Sequence, residues 1–339
     1  MRQKLKESPQ IWKLACDLGL SPDGDPVSVI LGFCRKKIRK IAKEFKCATL
    51  SDLLNAAATV LGTRFVEVRC ESDLDSLQEK YVRKGEKRFA TLRQDLAGDV
   101  LAITYRLTNN RPWELPYVSV IDCRGDRASR AYYSRWHELG HLLTLTDQTR
   151  LSFTRTHAET SQSRDPEETL MEIIAGTFGF WGELAAPKDG GRITFQTIDQ
   201  LRAQHCAEAS AQASLIGFVS AWPSACVLVH AELGLKECDK RLSSQNHLGF
   251  ATEPVPELRA VKVSPNAAAK SAGIMIYENM RIPECSIIYK VFYGEAFEGT
   301  AEENLGDWTT SRGGRLANRR VLVEAKRTWG AVEALITPN

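Results

Sequence analysis

Two histidines one helical turn apart constrain this 339-residue chain more than anything else in it. The stretch Trp136-His-Glu-Leu-Gly-His-Leu-Leu143 predicts a helix with His137 and His141 at i and i+4, so both imidazoles leave one face and can hold a single metal ion. Glu138 lies about 100° further round the helix, beside such an ion rather than on it. That is the set metal-assisted hydrolysis needs: two neutral imidazoles, an acidic third ligand from elsewhere, a water whose pKa the ion lowers, and a general base within reach. The pattern also arises by chance on amphipathic helices, so its context matters. Tyr132, Trp136, Leu139 and Leu143 form a second stripe at helical spacing that can face a core. Ser129 stands where an N-cap is expected. Gly140 costs a helix interior about 1 kcal/mol relative to Ala, which implies that something passes close to the backbone there.

The third ligand is expected from Asp165-Pro-Glu-Glu-Thr-Leu-Met-Glu-Ile-Ile. Asp165, Pro166, Glu167 and Glu168 read as an N-cap, a first-turn proline and two acids at the positive helix end. Glu172 is not explained that way. Among Met171, Ile173 and Ile174 its carboxylate would be desolvated and costly unless a cation compensates it. Glu172 is therefore the expected ligand, with Glu168, one turn earlier on the same face, as the substitute.

His137-Glu-Leu-Gly-His141-Leu-Leu, then Glu172-x-x-Ala175-x-x-Phe178 and Pro187, resembles the ImmA/IrrE family of bacterial metallopeptidases. The resemblance covers roughly residues 120–190 and implies a zincin-like peptidase core, with His137, His141 and Glu172 as Zn2+ ligands and Glu138 as catalytic base. Two departures stand out. The family usually has Asn or Asp four residues after the ligand glutamate, and this chain has Gly176; Asp122, Asp147 and Asp165 are the candidates to orient the ligands instead. The run from Phe178 to Pro187 is longer than usual, which implies a remodelled helix end.

Composition is that of an ordinary water-soluble chain, at 43% hydrophobic and 26% charged residues. There is no run of eighteen apolar residues and the start lacks the apolar core of a signal peptide, so no membrane partner and a cytoplasmic location are expected. Nine scattered cysteines without a C-x-x-C read as reduced thiols. The net charge of +3 is uneven: residues 1–50 carry eleven Lys/Arg against five Asp/Glu, a balance of +6 that leaves the rest at −3. Most of that excess lies in Arg35–Lys46, which can follow nucleic-acid phosphates. Such a run is more often the solvated side of a helix, here one burying Phe33, Ile38, Ile41 and Phe45.

The length implies several modules, and the fold class expected is α+β. Residues 1–62 read as a helical segment and 63–190 as the peptidase core. Residues 191–243 read as a helix-turn-helix-like domain, and 244–339 as a C-terminal α+β domain that the resemblance implies is sensor-like. Strands are expected at Arg64–Arg69, Arg88–Leu92, Val100–Tyr105 and Tyr117–Asp122, and then at Leu258–Val263, Ile287–Tyr293, Val321–Ala325 and Ala331–Ile336. An edge strand of the first sheet can hold an extended peptide by strand addition. Thr144–Arg164 reads as a polar loop in which His157 or Arg155, with Tyr132 and Tyr133 nearby, are candidate oxyanion donors. The second helix of the helix-turn-helix-like part, Pro223–Leu233, is almost free of Lys and Arg, which favours a structural role over DNA contact. Arg312, Arg315, Arg319, Arg320 and Arg327 read either as an anion site or as charged surface.

These readings converge on a zinc endopeptidase. From the resemblance alone comes the expectation of a regulatory protein substrate, a transcriptional repressor or antitoxin-like partner, in stress response or mobile-element control. The alternative is a non-proteolytic regulatory protein that binds DNA or a partner and keeps a structural or vestigial metal site.

Overall fold

Strand-forming residues alternate between two faces from 63 to 122, and the sheet they build positions everything in the first half of the chain. The computed structural model describes residues 5–21, 24–146, 152–156, 165–187, 190–236, 255–294, 296–310 and 313–339, with backbone alone at 153–156. Contacts divide it into two compact units, one of residues 1–185 with 202–214 and one of 186–201 with 215–339. Both mix helices and strands, so the chain is α+β.

The first unit begins with three helices, α1 (Pro9–Asp17), α2 (Pro26–Glu44) and α3 (Leu50–Val60). Asp25 caps α2 ahead of Pro26, and Thr49 with Asp52 forms a capping box on α3. The buried stripe of α2 is Ile30, Cys34, Ile38 and Ile41; Phe33 is half-buried and Phe45 exposed, unlike the expected stripe. Part of the basic run is committed within this unit. The Arg39 guanidinium grips Glu183 through two 2.7 Å bonds, Arg35 stands 3.9 Å from the same carboxylate, and Lys37 donates to the Leu143 carbonyl at 3.1 Å.

Four strands follow: β1 (Thr63–Val68), β2 (Val100–Arg106), β3 (Tyr117–Asp122) and β4 (Ser152–Thr156), in the order β1-β3-β2-β4. β1 runs parallel to β3 and the other pairs are antiparallel. Gly62, at φ +74°, makes the turn into β1, where a Cβ would meet Pro116 at 2.9 Å. On one face Val66, Val68, Ile103, Tyr105, Val118 and Val120 pack with Leu74, Leu77 and Tyr81 of α4 (Glu71–Arg83). The other face, carrying Thr63, Ala102, Thr104, Ser119 and Ile121, turns to α5 (Ala131–Leu143), whose neighbour is α6 (Pro166–Gly179).

Several expectations change here. Arg88–Leu92 is not a strand: Lys87–Thr91 is a 3-10 turn leading into a helical turn, with Phe89 and Leu92 buried three residues apart. The segment Thr144–Arg164 is not all loop, because Ser152–Thr156 pairs with β2 as β4. Ser129 does not cap α5; its hydroxyl donates to the Asp126 carbonyl, and a 3-10 turn over Gly125–Arg130 feeds the helix directly.

Helices α7 (Phe195–His205) and α8 (Ala211–Ala221) come next, but the second half of the expected helix-turn-helix does not form. Val227–Gly234 is strand β5, central in the second unit's sheet, and its Val-Leu-Val-His-Ala run suits a buried strand. That antiparallel sheet runs β7 (Met280–Arg281), β6 (Glu257–Pro265), β5, β10 (Ala331–Pro338), β9 (Arg320–Thr328), β8 (Glu298–Asn304). After α9 (Ala267–Ser271) comes α10 (Ile287–Tyr293), where a strand was expected. The Ser286 hydroxyl caps it, Glu303 accepts the Ile287 N–H at 2.7 Å, and Ile288 and Val291 point into the core at helical spacing, which overrides the β-forming composition. Of the candidate anion-binding arginines, Arg319 and Arg327 are tied to backbone carbonyls, and Arg312 lies outside the described residues. Among the described residues no helix is long and apolar enough to cross a membrane.

Candidate metal centre

The crossing of α5 and α6 builds the site. Gly140 is the contact point: a Cβ there would lie 3.1 Å from Met171 Sδ and 3.4 Å from Ile174 Cγ2, so its lack of a side chain lets α6 approach. Tyr132, Trp136, Leu139 and Leu143 are buried, as their stripe predicts, and this anchors α5. Asp165 accepts the Glu167 N–H at 2.9 Å and fixes where α6 starts. This places Glu168, in the first turn of α6, against His137 and His141 of α5.

His137 Nε2 lies 3.0 Å from Glu168 Oε2, and His141 Nε2 lies 3.2 Å from Glu168 Oε1. One atom from each of the three falls within 4.8 Å of the others, a group able to hold a metal ion. The outer imidazole nitrogens also face carboxylates: His137 Nδ1 is 3.4 Å from Glu172 Oε1, and His141 Nδ1 is 3.7 Å from Glu167 Oε1. Each imidazole thus directs its Nε2 to the shared Glu168 and its Nδ1 to an outer acid. That is the arrangement in which carboxylates fix the orientation and basicity of ligating histidines. Glu172, the sequence-expected ligand, faces this outer nitrogen of His137, and the substitute, Glu168, takes the central place.

Glu138 is fully buried. Its Oε2 accepts from Thr104 Oγ1 at 2.6 Å, and Thr104 Oγ1 meets Ser119 Oγ at 2.7 Å, which meets Thr63 Oγ1 at 2.8 Å. Four buried polar groups therefore form a file across three adjacent strands. No sequence pattern announced these hydroxyls; the signal was their placement on one face at alternate positions of β1, β2 and β3. Glu138 Oε1 has no hydrogen-bond partner among the described residues.

Charge explains what the site lacks. Burial raises the Glu138 pKa against the pull of His141, His137 and Thr104. Burial also acts on Glu168, but hydrogen bonds from His137 and His141 outweigh it and hold that carboxyl down to about 2. His141 is depressed by burial, yet Glu167 and Glu168 push its pKa up to about 9. Four carboxylates around two imidazoles call for positive charge, supplied by a proton on His141 in the metal-free chain. A divalent ion fits the same place. The 3.0 and 3.2 Å nitrogen–oxygen spacings approach the ~3.4 Å separation of ligands on a tetrahedral ion with arms of ~2.1 Å.

The other candidates sit elsewhere. Asp122 is on the opposite face of β3, bound to Arg124 at 2.9 Å and to Arg127; Asp165 is a helix cap, so neither orients the ligands. Asp147 and His157 lie outside the described residues, as does the Arg155 side chain. Gly176 leaves room for Tyr133, whose hydroxyl is 3.5 Å from the position of a Cβ there and donates to the Glu172 carbonyl at 2.6 Å. Tyr132 is committed to the Gly179 carbonyl at 2.5 Å. No protein-family model matches the chain, and no curated protein matches it.

Proposed function

We propose that the chain is a zinc-dependent endopeptidase with a zincin-like core that cleaves a regulatory protein, of the repressor or antitoxin kind that the motif resemblance implies. The observation that carries this reading is the convergence of His137, His141 and Glu168 beside a buried Glu138 with one oxygen unpartnered among the described residues. His137, His141 and Glu168 would hold the ion, with Glu172 and Glu167 keeping the two imidazoles in orientation. A divalent ion there supplies Lewis acidity, polarising a carbonyl and lowering the pKa of water. Two His and one Glu also suit other divalent ions, and zinc is favoured by the donor set.

Glu138 does the proton work. Thr104 holds its Oε2, which leaves Oε1 as the atom that takes a proton from the attacking water and returns it to the leaving amine. The low dielectric of a buried site strengthens each of these interactions. Access runs from the side of Glu168 and Glu172, whose side chains are 28% and 37% exposed while the histidines are buried.

The alternative, a regulator with a structural ion, draws support from how deeply the two histidines lie. It loses support at α2, where Arg35, Lys37 and Arg39 of the basic run have partners within the first unit. The deciding variant is Glu138→Gln, which should keep the ion and lose cleavage by at least ~100-fold, the scale of general acid–base catalysis. Undiminished cleavage by that variant would remove Glu138 as the base, and no cleavage by the zinc-loaded wild type would favour the alternative.

A further inference from the structure

The first unit's sheet has a second feature at its β4 edge, on the face turned away from the metal cluster. A cavity of about 460 Å³ opens there, lined by Lys87, Arg88, Thr91 and Asp95 from the 3-10 and helical turns, by Tyr105 of β2 and by Ser152 of β4. Tyr105 belongs to the sheet face packed with α4, whereas Thr104, next to it in β2, bonds Glu138 on the α5 face. Ser152 pairs with Tyr105 across the β2–β4 ladder, so the cavity reaches the outermost strand.

Its charge is one-sided. The one lining carboxylate among the described residues, Asp95, accepts from Tyr105 Oη at 2.6 Å and from Thr91 Oγ1 at 2.9 Å, and so is already engaged. Arg88 reaches only the Ser152 hydroxyl, at 3.3 Å, and neither it nor Lys87 has a carboxylate partner among the described residues. The nearby Arg93, by contrast, is paired with Glu71 and Asp75. Two cations against one carboxylate whose oxygens are already engaged leave an excess positive charge at the rim of a cavity beside a sheet edge, a place for an anion.

We propose that this cavity is a specificity pocket for an acidic side chain of the substrate, an inference that rests on the peptidase reading above. Among the described residues β4 is the outermost strand, and a peptide added to its edge projects successive side chains to opposite faces of the sheet. Those on the α5 face lie on the metal side; those on the other face meet Lys87 and Arg88. An Asp or Glu at such a position gains a charge-assisted partner, and a Lys or Arg is repelled, so the pocket selects both for and against.

The test is a cleavage profile. The zinc-loaded full chain is incubated with a random dodecapeptide mixture and the cut sequences are read by mass spectrometry, beside a Lys87→Glu/Arg88→Glu variant whose zinc content is checked to be unchanged. The wild type should enrich Asp and Glu about 5-fold at one position, the scale of an exposed ion pair, and the variant should invert this to Lys and Arg. Cleavage with no acidic preference, or with one that the variant leaves unmoved, overturns the pocket and leaves the peptidase reading standing. If the wild type cuts nothing, the peptidase reading fails separately. Retention of the same mixture on immobilised Glu138→Gln protein then decides the pocket: acid-rich peptides held by it but not by the charge-reversed form support the assignment, and unselective retention overturns it.

Discussion

The two oxygens of Glu138 have different surroundings, and the difference is the most testable detail of the site. Oε2 is held by the file of Thr104, Ser119 and Thr63 hydroxyls, a chain in which each bond polarises the next. Replacing Thr104 by Val removes the donor and leaves the carboxylate free to turn. Cleavage should then fall about 10-fold or more at unchanged zinc content, with Thr104→Ser restoring most of it. A full loss of zinc in Thr104→Val would show that the hydroxyl serves folding instead. His141 and Glu168 give a pH signature in the metal-free chain. The raised His141 pKa makes its contribution complete below about 6.5 and lost as pH climbs through about 9. The lowered Glu168 pKa makes its contribution complete above about 4.5 and lost as pH falls through about 2. The urea midpoint of metal-free protein should therefore decline from pH 6.5 to 9. Loading with zinc, which requires a neutral imidazole, should remove that decline. A metal-free midpoint that stays flat over this range would contradict the assignment. At this scale His137, Glu138 and His141 were legible because the i, i+4 spacing fixes a face whatever the tertiary structure. Glu168 was legible only as the substitute for Glu172, because an acid in a helix's first turn is already accounted for by the dipole, and only the crossing at Gly140 reveals which turn of α6 meets the imidazoles.

The elements take their positions from that crossing. Gly140 sits 3.1 Å, at its would-be Cβ, from a methionine sulfur that can yield somewhat, so the size of the added side chain decides the cost. Gly140→Val should destabilise the chain by about 1–3 kcal/mol through overpacking and weaken zinc binding at the same time, read by urea unfolding and metal titration. An unchanged unfolding midpoint would mean that the helices do not meet there. The alternation of β1 to β3 made the sheet legible, and the apolar stripe made α5 legible. Where composition and context disagree, context wins: Ile287–Tyr293 is β-forming in content but helical under a serine cap, and Val227–Gly234 was read through a helix-turn-helix likeness that its own β-branched residues contradict.

For the whole molecule, bound ion and folding are linked. An ion that binds only the folded chain stabilises it by about 2.7 kcal/mol when free ion exceeds the dissociation constant 100-fold, so chelator should lower the melting temperature and zinc restore it. Of the basic run, Arg35, Lys37 and Arg39 are engaged within their own unit while Lys36, Lys40 and Lys43 stay exposed, and the peptidase reading needs no nucleic-acid partner. Duplex-DNA binding should accordingly be weak, and tight, chelator-insensitive binding with a steep salt dependence would support the non-proteolytic alternative instead. The modular outline was only partly visible in the sequence, since the contacts place residues 1–62 in the same unit as the metal helices and carry β5 into the C-terminal sheet.

The most direct measurement is metal content by elemental analysis of the purified wild type, Glu168→Ala and Glu172→Ala. The geometry predicts about one zinc per chain in the wild type, loss in Glu168→Ala, and retention at 10- to 100-fold lower affinity in Glu172→Ala, as for removal of a group that only orients a ligand. Zinc kept by Glu168→Ala and lost by Glu172→Ala, or no zinc in the wild type even after its addition, would contradict the account.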